Sequence, residues 1–339
     1  MQPIVAFYDS KSYDEIFFKK AAGNKLLFDF HPFELTAKTA ESARGAFAVC
    51  AFVHDILDRI CLEKLKKAGI QLLALRCAGF NYLDLEAAKE LQITVVRVPT
   101  YSPNAIAEHT CALLLSLNRK IHRAYNRIRE HNFSLDGLMG FNIAGKTIGI
   151  VGCGKIGKKA AQIFRGFEAH VLAYDPLPDL HWAAHYGVQL TNLANLFKNS
   201  DIISLHLPLM KETEHLIRSE TLAQMKAGVV LLNTSRGKLI HTVHLIEALR
   251  SGQVGAVALD VYEEEDAFFY HDRSQEILQD EQLAYLLTFP NVLVTAHQAF
   301  LTQEALTEIA ATTVENILAS HERRPLQKDT ILVPPSNLN

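Results

Sequence analysis

The stretch TIGIVGCGKIGKKAAQIF, residues 147–164, joins an apolar run, three glycines and a helical pattern. Gly152, Gly154 and Gly157 form a G-x-G-x-x-G sequence between a predicted strand and a predicted helix. The first glycine allows a tight turn, the second lets the backbone approach a pyrophosphate, and the third lets helix and strand pack closely. The N-terminus of the helix offers free N–H groups and a positive dipole end. Ordinary tight-turn glycines are the alternative, but the strand and helix context favours a dinucleotide-binding loop.

The next predicted strand, AHVLAYDP at residues 169–176, ends in Asp175, 18 residues beyond Gly157. A carboxylate at this position would accept hydrogen bonds from the ribose hydroxyls of NAD and would repel the 2′-phosphate of NADP. The alternative for Asp175 is a turn residue before Pro176. The sequence therefore predicts NAD as the cofactor.

The composition is typical of a globular protein with more than one core. The chain has 339 residues, of which 49% are apolar and 21% charged, enough for two domains. A net charge of -3 predicts no nucleic-acid or anionic-membrane partner. The five cysteines lack metal-ligand spacing, so no metal is predicted. The N-terminus does not resemble a signal peptide and no apolar run reaches the roughly 18 residues of a membrane span, so we expect a cytoplasmic protein.

Short strand patterns alternate with helical patterns, which indicates parallel sheets with crossover helices. The prolines of VPTYSPNAIAEH, residues 98–109, interrupt this alternation, and long helical patterns follow from about 105 to 129 and again after 301. We interpret both as connectors. The predicted fold is α/β, with two Rossmann-like or flavodoxin-like parallel-sheet domains and the active site in the cleft between them. Residues 1–101 with 299–339 form the predicted substrate domain, and 102–298 the predicted NAD-binding domain. A simple split near residue 140 is the alternative.

Three predicted strand ends in the second half of the chain carry ionisable residues. NTSRG contains Arg236, LDVYEEE contains Asp260 and Glu265, and TAHQ contains His297. Because open α/β sheets bind ligands beyond the carboxyl ends of their strands, we expect all of these to face the cofactor. The alternatives are surface ion pairs for Arg236 and Glu265, and a core or capping role for His297.

These motifs, together with RCAGFNYLDL at 76–85, LHLP at 205–208 and TAHQAFLT at 295–302, resemble the D-2-hydroxyacid dehydrogenase family. The resemblance covers essentially the whole chain and is closest to the fermentative D-lactate dehydrogenases. It implies reversible hydride transfer from NADH to pyruvate. It also implies that Arg236 binds the substrate carboxylate, that His297 is the acid/base, and that Glu265 raises the pKa of His297. The residue types suit this chemistry, since an arginine can clamp a carboxylate and a charged imidazole can protonate a ketone.

The resemblance assigns further contacts to ligands. The implied cofactor contacts are Gly152, Gly154, Lys155, Ile156, Gly157, Asp175, Leu207, Pro208, Thr213, Thr234, Ser235 and Asp260. The implied substrate contacts are the backbone N–H groups around Ala78 and Gly79, and the aromatic residues Phe52, Tyr101 and Phe300. Ordinary core packing is the alternative for the aromatic residues, Phe52 above all. A homodimer or homotetramer is implied as well.

The sequence also departs from the family. Asn81 stands where many relatives outside the fermentative branch carry Asp, which leaves its role open, and His241 stands where an acid is common. We expect the second change to concern helix capping only, with Thr242 as the cap. Residues 263–282 are long for a loop and resemble an insertion of the lactate branch, and their purpose is left open. The alternative functions are a reductase for another 2-oxo acid and an NADH-sensing, corepressor-like binding module.

Overall fold

Short strands alternate with helices in the computed structural model, which describes residues 2–335. The chain divides into two units. The terminal domain takes the residues up to Ser102 together with those from Leu301 onward, and the central domain takes Pro103–Phe300. These boundaries differ by one or two residues from those expected from the sequence.

The terminal domain begins with alternating strands and helices whose apolar runs are buried. Strands β3 and β4 are buried along their whole length, which explains their uninterrupted apolar sequences AVCA and LLAL. The elements are β1 (Ile4–Phe7), α1 (Ser12–Ala22), β2 (Leu27–Phe30), a 3₁₀ turn (Ala40–Ala43), β3 (Ala48–Ala51), α2 (Arg59–Lys67), β4 (Leu72–Leu75), α3 (Leu85–Glu90) and β5 (Thr94–Arg97).

The central domain contains the second alternating series. Its elements are α4 (Pro103–Arg119), α5 (Ile121–Arg129), β6 (Thr147–Val151), α6 (Lys155–Gly166), β7 (His170–Tyr174), α7 (Leu180–Tyr186), β8 (Gln189–Leu190), α8 (Leu193–Asn199), β9 (Ile202–Leu205), α9 (Ser219–Leu222), β10 (Val229–Asn233), a 3₁₀ turn (Gly237–Leu239), α10 (Thr242–Ser251), β11 (Val254–Leu259), a 3₁₀ turn (Glu265–Ala267), α11 (Glu281–Leu286) and β12 (Val292–Val294). The chain then returns to the terminal domain with α12 (Gln303–His321), a 3₁₀ turn (Lys328–Thr330) and β13 (Ile331–Val333).

Each domain is built on one sheet. The terminal sheet has the order β13-β5-β4-β3-β1-β2, in which only β13 is antiparallel to its neighbour. The central sheet has the order β12-β11-β10-β9-β6-β7-β8 and is parallel throughout. The predicted fold class of two parallel-sheet α/β domains is confirmed.

The centre of the second sheet positions the predicted cofactor loop. Strand β6 lies between β7 and β9, with Val151 opposite Tyr174 and Leu205. At this point the strand order changes direction, which is where open α/β sheets bind their ligands. The residues that follow the three strands, Gly152, Asp175 and His206, therefore share one edge of the sheet.

The helical pattern at 105–129, expected to be continuous, is two helices. Helix α4 ends at Arg119, and Lys120 has a left-handed backbone with φ of 50°. A β-carbon in that conformation crowds the following carbonyl, so the α-helix cannot continue through it. The side chains of Asn118 and Lys120 donate to the carbonyls of Phe141 (2.7 Å) and Met139 (2.6 Å), which ties the break to the loop before β6.

Candidate active site

The glycine loop is shaped by close backbone packing. Gly152 has φ of 97°, and a β-carbon added there would lie 2.6 Å from the carbonyl oxygen of His206. A β-carbon on Gly157 would lie 1.9 Å from the carbonyl oxygen of Gly152. At Gly154, by contrast, a β-carbon would meet no atom within 4 Å. Gly152 and Gly157 thus permit the tight turn and the helix packing, while Gly154 faces open space that a phosphate group could occupy.

Helix α6 starts directly after Gly154. Its first residues, Lys155 and Ile156, are not buried, and the helix runs for 12 residues. The N–H groups of its first turn have no partners within the helix, so they are available to an anion. This is the arrangement predicted from the sequence.

Asp175 follows β7 and binds the glycine loop itself. Its Oδ2 accepts from the backbone N–H of Cys153 at 2.7 Å, and its Oδ1 accepts from that of Leu177 at 2.9 Å. The second bond is the turn role considered as an alternative. The first was not predicted and fixes the loop between β6 and α6. Asp175 is only partly buried, so the ribose contact stays a prediction.

The residues after β9 and β10 are held by their own hydroxyl groups. Thr213 Oγ1 donates to the carbonyl of Pro208 at 2.7 Å, and Ser235 Oγ donates to the carbonyl of Leu207. Thr234 shares a 2.8 Å hydrogen bond with Thr110 on α4. These contacts stabilise the loops. The cofactor contacts expected for these loops stay predictions; they concern Leu207, which is buried, and Pro208, Thr213, Thr234 and Ser235.

Arg236 emerges from a turn built by Asn233. The Asn233 amide donates to the carbonyl of Arg236 at 2.8 Å, and its oxygen accepts from the N–H of Ser235 at 3.1 Å. One Arg236 nitrogen donates to the carbonyl of Ser235 at 2.7 Å. Within residues 2–335, no carboxylate forms an ion pair with this guanidinium. A half-buried arginine without an acidic partner can accept an external carboxylate.

His297 and Glu265 form a pair. The His297 Nδ1 donates to Glu265 Oε1 at 2.7 Å, and both side chains are largely buried. The other carboxylate oxygen, Oε2, accepts from the backbone N–H of Tyr262 at 2.7 Å. The ring therefore presents its Nε2 away from the carboxylate. The pairing expected from the sequence is thus present in the geometry.

The backbone of His297 is left-handed, with φ of 49°. This conformation is rare for a residue other than glycine and is kept only where the surroundings impose it. Here the N–H of His297 donates to the carbonyl of Asp260 at 2.7 Å, and its carbonyl accepts from the Tyr270 hydroxyl at 2.6 Å. Two contacts therefore fix the orientation of the histidine.

Asp260 holds the same segment through hydrogen bonds. Its buried carboxylate accepts from Thr295 Oγ1 (2.6 Å) and from the N–H groups of Gln298 (2.9 Å) and Ala299 (2.8 Å). His109 Nε2 on α4 lies 3.3 Å away. Burial would raise the pKa of Asp260, but these hydrogen bonds outweigh it and hold the pKa below its ordinary value. The structure gives Asp260 a role in the environment of the histidine, and its predicted cofactor contact stays a prediction.

Glu263 links the arginine loop to the glutamate segment. One carboxylate oxygen accepts from His215 Nε2 at 2.6 Å and the other from the N–H of Thr242 at 2.8 Å. The N–H of His215 donates to the carbonyl of Lys238 at 2.8 Å. The expectation that Thr242 caps α10 is therefore wrong, because Thr242 is the first helical residue and Glu263 supplies the acceptor. Glu263 and His215 were missed because no spacing pattern connects residues 48 positions apart.

The long segment 263–282 now has contacts that explain part of it. The Tyr262 hydroxyl donates to Asp280 Oδ2 at 2.9 Å and so joins the two ends of the segment. Phe269 is buried in the core of the central domain. The ring of Tyr270 lies edge-on to that of Phe300, with centroids 6.4 Å apart. The segment therefore supports both His297 and Phe300.

The terminal domain holds the remaining predicted substrate residues. Among the hydrogen bonds of residues 2–335, none uses the backbone N–H groups of Ala78 and Gly79, and both residues are partly exposed. Arg97 orders this loop by donating to the carbonyl of Ala78 at 2.6 Å. Phe52 is buried, and its N–H donates to Asp55 Oδ2 at 2.6 Å. Tyr101 lies partly exposed after β5.

Residues 2–335 contain no group of three or more histidine, cysteine, aspartate or glutamate side chains that could hold a metal ion. No helix in that part of the chain is long and apolar enough to cross a membrane.

Comparisons with known proteins identify the family of the chain. A family model described as "D-isomer specific 2-hydroxyacid dehydrogenase, NAD binding domain" matches residues 111–299. D-lactate dehydrogenase of Escherichia coli (strain K12) is 48% identical over 316 residues, which are 92% of this chain and 95% of that protein. 2-Hydroxyacid dehydrogenase A of Aspergillus oryzae (strain ATCC 42149 / RIB 40) is 48% identical over 317 residues, 92% of this chain and 91% of that protein.

Solved structures are similar over nearly the whole chain. The structure titled "Identification of the pyruvate reductase of Chlamydomonas reinhardtii" has a TM-score of 0.92 at 42% identity and covers 96% of this chain and 98% of its own. The apo-structure of D-lactate dehydrogenase from Escherichia coli has a TM-score of 0.89 at 45% identity. The match covers 97% of this chain and 100% of that structure's chain. Fold and glycine loop thus define a dinucleotide-binding oxidoreductase. More narrowly, the chain belongs to the D-isomer specific 2-hydroxyacid dehydrogenase family.

Proposed function

We propose that this chain is an NAD-dependent D-lactate dehydrogenase that reduces pyruvate to D-lactate. The observation that carries the proposal is the 2.7 Å hydrogen bond between His297 Nδ1 and Glu265 Oε1, in the domain that contains the glycine loop. Relatives named D-lactate dehydrogenase and a structural relative titled as a pyruvate reductase support pyruvate as the substrate.

The residues at the glycine loop fit a dinucleotide. The open space beside Gly154, the free N–H groups at the start of α6 and the partly exposed carboxylate of Asp175 suit a pyrophosphate and a ribose. NADH bound there would supply the hydride. The remaining proposed cofactor contacts are Lys155, Ile156, Leu207, Pro208, Thr213, Thr234 and Ser235.

The side chains of this protein would then act on the 2-oxo acid. Arg236 binds the carboxylate and draws electron density from the ketone. His297 donates a proton from Nε2 to the ketone oxygen, since its Nδ1 is engaged by Glu265. Glu265 keeps the ring in this orientation and stabilises its positive charge. The ketone carbon gains a hydride while its oxygen gains the proton, and in lactate oxidation His297 takes the proton back.

Two features of the terminal domain support a small 2-oxo acid. The unpaired N–H groups of Ala78 and Gly79 can donate to a carboxylate. Phe52 is an aromatic side chain suited to contact the methyl group. The substrate contacts of Tyr101 and Phe300 are proposed with it.

A turnover assay tests the proposal. Purified protein mixed with NADH and pyruvate should oxidise NADH, and chiral analysis should identify D-lactate as the product. His297→Asn should lower kcat about 10²–10⁴-fold and leave the Kd for NADH nearly unchanged. NADH binding without turnover of any 2-oxo acid would overturn the proposal in favour of an NADH-sensing binding module. Preferred turnover of another 2-oxo acid would indicate a different reductase.

We also propose that the chain forms a homo-oligomer through the central domain. Helix α5 buries none of its residues, and Ile121, Tyr125 and Ile128 are 54%, 61% and 56% exposed. Their spacing places them on one helix face. Further along the same segment Phe133, Leu135 and Met139 are exposed as well. Several large apolar side chains exposed along one segment are typical of a surface that contacts another protein, and a second copy of the chain is the partner proposed here.

A further inference from the structure

A buried arginine of the terminal domain has no part in the chemistry proposed above. Arg76 follows β4, and its side chain is 2% exposed. The guanidinium lies over two aromatic rings, 4.5 Å from the centroid of Phe7 and 4.4 Å from that of Phe52. Its nitrogens donate to the carbonyls of Tyr8 (3.0 Å) and Asp9 (2.8 Å). Two aromatic rings and two backbone carbonyls therefore surround the guanidinium.

Buried carboxylates keep Arg76 charged. Asp14 Oδ2 lies 3.5 Å from Arg76, and Asp9, also buried, pairs with Lys11 at 2.6 Å. Burial alone would lower the pKa of Arg76, but the nearby carboxylates of Asp14, Asp55 and Asp9 outweigh it and raise the pKa. A charge in an apolar interior persists only with such partners.

Asp55 holds the backbone of Phe52. Its Oδ2 accepts from the N–H of Phe52 and its Oδ1 from that of Leu35, both at 2.6 Å. Burial raises the pKa of Asp55 to about 7, and the charge of Arg76 opposes this shift. Phe52 is thus fixed twice, at its backbone by Asp55 and at its ring by Arg76.

We propose that Arg76 is a positioning residue that fixes the ring of Phe52 and so limits the size of the 2-oxo acid side chain that the enzyme accepts. The inference rests on the proposed function, in which Phe52 contacts the substrate side chain. The planar guanidinium matters because it can stack on an aromatic ring and donate in its own plane at the same time, whereas an ammonium group cannot. Loosening the stack lets the Phe52 ring yield to a larger group.

The ratio of kcat/KM for phenylpyruvate to that for pyruvate, both with NADH, tests this inference. Arg76→Lys keeps the charge and loses the stack, so the ratio should rise at least about threefold, since small changes in an apolar pocket alter discrimination on this scale or more. In a Phe52→Ala background, where the ring is absent, Arg76→Lys should leave the ratio unchanged. A purely structural role would lower the activity on both acids alike and would not depend on Phe52.

Two controls keep the result interpretable. Arg59→Lys changes an exposed arginine of the same domain, paired with Glu90 at 2.8 Å, and should not alter the ratio. If Arg76→Lys does not fold, Asp14→Asn weakens the same charge cluster and should raise the ratio to a smaller extent. An unchanged ratio in the folded variant overturns the inference. Wild-type protein that reduces neither acid would instead overturn the proposed function.

Discussion

The hydrogen bond between His297 and Glu265 orients the ring that donates the proton in the proposed reaction. The Glu265 carboxylate, 2.7 Å from Nδ1, leaves Nε2 as the nitrogen that can reach the ketone oxygen. Glu265→Gln keeps the shape of the side chain but removes its charge, so the ring is held less firmly. We expect kcat for pyruvate reduction and for D-lactate oxidation to fall roughly tenfold, because a small displacement of a catalytic group is costly.

The measurement is kcat in both directions, with the Kd for NADH, in the wild type, in Glu265→Gln and in Glu264→Gln. Glu264 is exposed and serves as the matched control. Equal kcat values in the wild type and in Glu265→Gln would show that the carboxylate does not assist the histidine.

A substitution of Arg236 tests whether this residue binds the substrate carboxylate. Arg236→Lys keeps the positive charge but loses the planar fork that binds a carboxylate through two hydrogen bonds. We expect kcat/KM for pyruvate to fall by an amount that corresponds to about 2–4 kcal/mol of lost transition-state stabilisation. The Kd for NADH should be nearly unchanged. Arg218→Lys, at an exposed arginine paired with Glu220, is the control. An Arg236→Lys variant within threefold of the wild type would remove Arg236 from the substrate site.

Asp175 tests the choice of cofactor. Asp175→Asn keeps an oxygen that can accept from the N–H of Cys153 but removes the charge that repels a 2′-phosphate. The preference for NADH over NADPH, measured as the ratio of kcat/KM, should narrow, while the glycine loop keeps its shape. Asp179→Asn, in the same loop region, should leave the ratio as in the wild type. An unchanged ratio in Asp175→Asn would mean that Asp175 only stabilises the loop.

At the scale of elements, Glu263 connects two loops that carry reactive side chains. Its contacts with His215 and Thr242 hold the loop after Arg236 against the segment that contains Glu265. A β-carbon at Gly237 would lie 1.9 Å from the carbonyl oxygen of Tyr262, so the two backbones are already in direct contact. Glu263→Gln should lower kcat/KM for pyruvate roughly tenfold, because a small displacement of catalytic groups is costly.

The NADH Kd should stay near that of the wild type in Glu263→Gln, since the glycine loop lies elsewhere on the sheet. Glu264→Gln again provides the matched control, as its neighbouring carboxylate is exposed. Equal activity of the two variants would indicate that the hydrogen bonds of Glu263 contribute to stability alone.

The strands and the glycine loop could be predicted because their signals are local. Apolar runs indicate burial, and the glycine spacing indicates a loop in which the backbone at Gly152 and Gly157 leaves no space for a β-carbon. The left-handed Lys120 could not be foreseen, since a continuous apolar period runs through it. Residues 263–282 were left open for a similar reason. Their role depends on a tyrosine hydroxyl reaching the carbonyl of His297, a contact that no local pattern encodes.

The candidate site divides in the same way. Arg236, Glu265 and His297 could be proposed because reactive residue types stand at the ends of predicted strands, where parallel sheets bind ligands. Two residues that hold the loops around them, His215 and Glu263, look like ordinary polar residues in the sequence. Their roles arise from hydrogen bonds between distant segments, so only the folded chain reveals them.

The exposed apolar side chains of the central domain predict an association between copies of the chain. Ile121, Tyr125 and Ile128 lie on the face of α5, and no residue of this helix is buried. Apolar surface of this extent is stabilised when a second surface covers it. If two copies of the chain associate through this face, a charge placed within it would be buried without a partner and would weaken the association by several kcal/mol.

Tyr125→Glu and Ile128→Glu should therefore shift the protein from oligomer to monomer in sedimentation velocity experiments at micromolar concentration. Leu180→Glu introduces the same charge at an exposed leucine on α7, away from this segment in sequence, and should leave the sedimentation profile unchanged. All three variants should bind NADH, because none alters the glycine loop. A monomeric wild type, or an oligomer that survives both substitutions in α5, would show that this face is not the contact between copies.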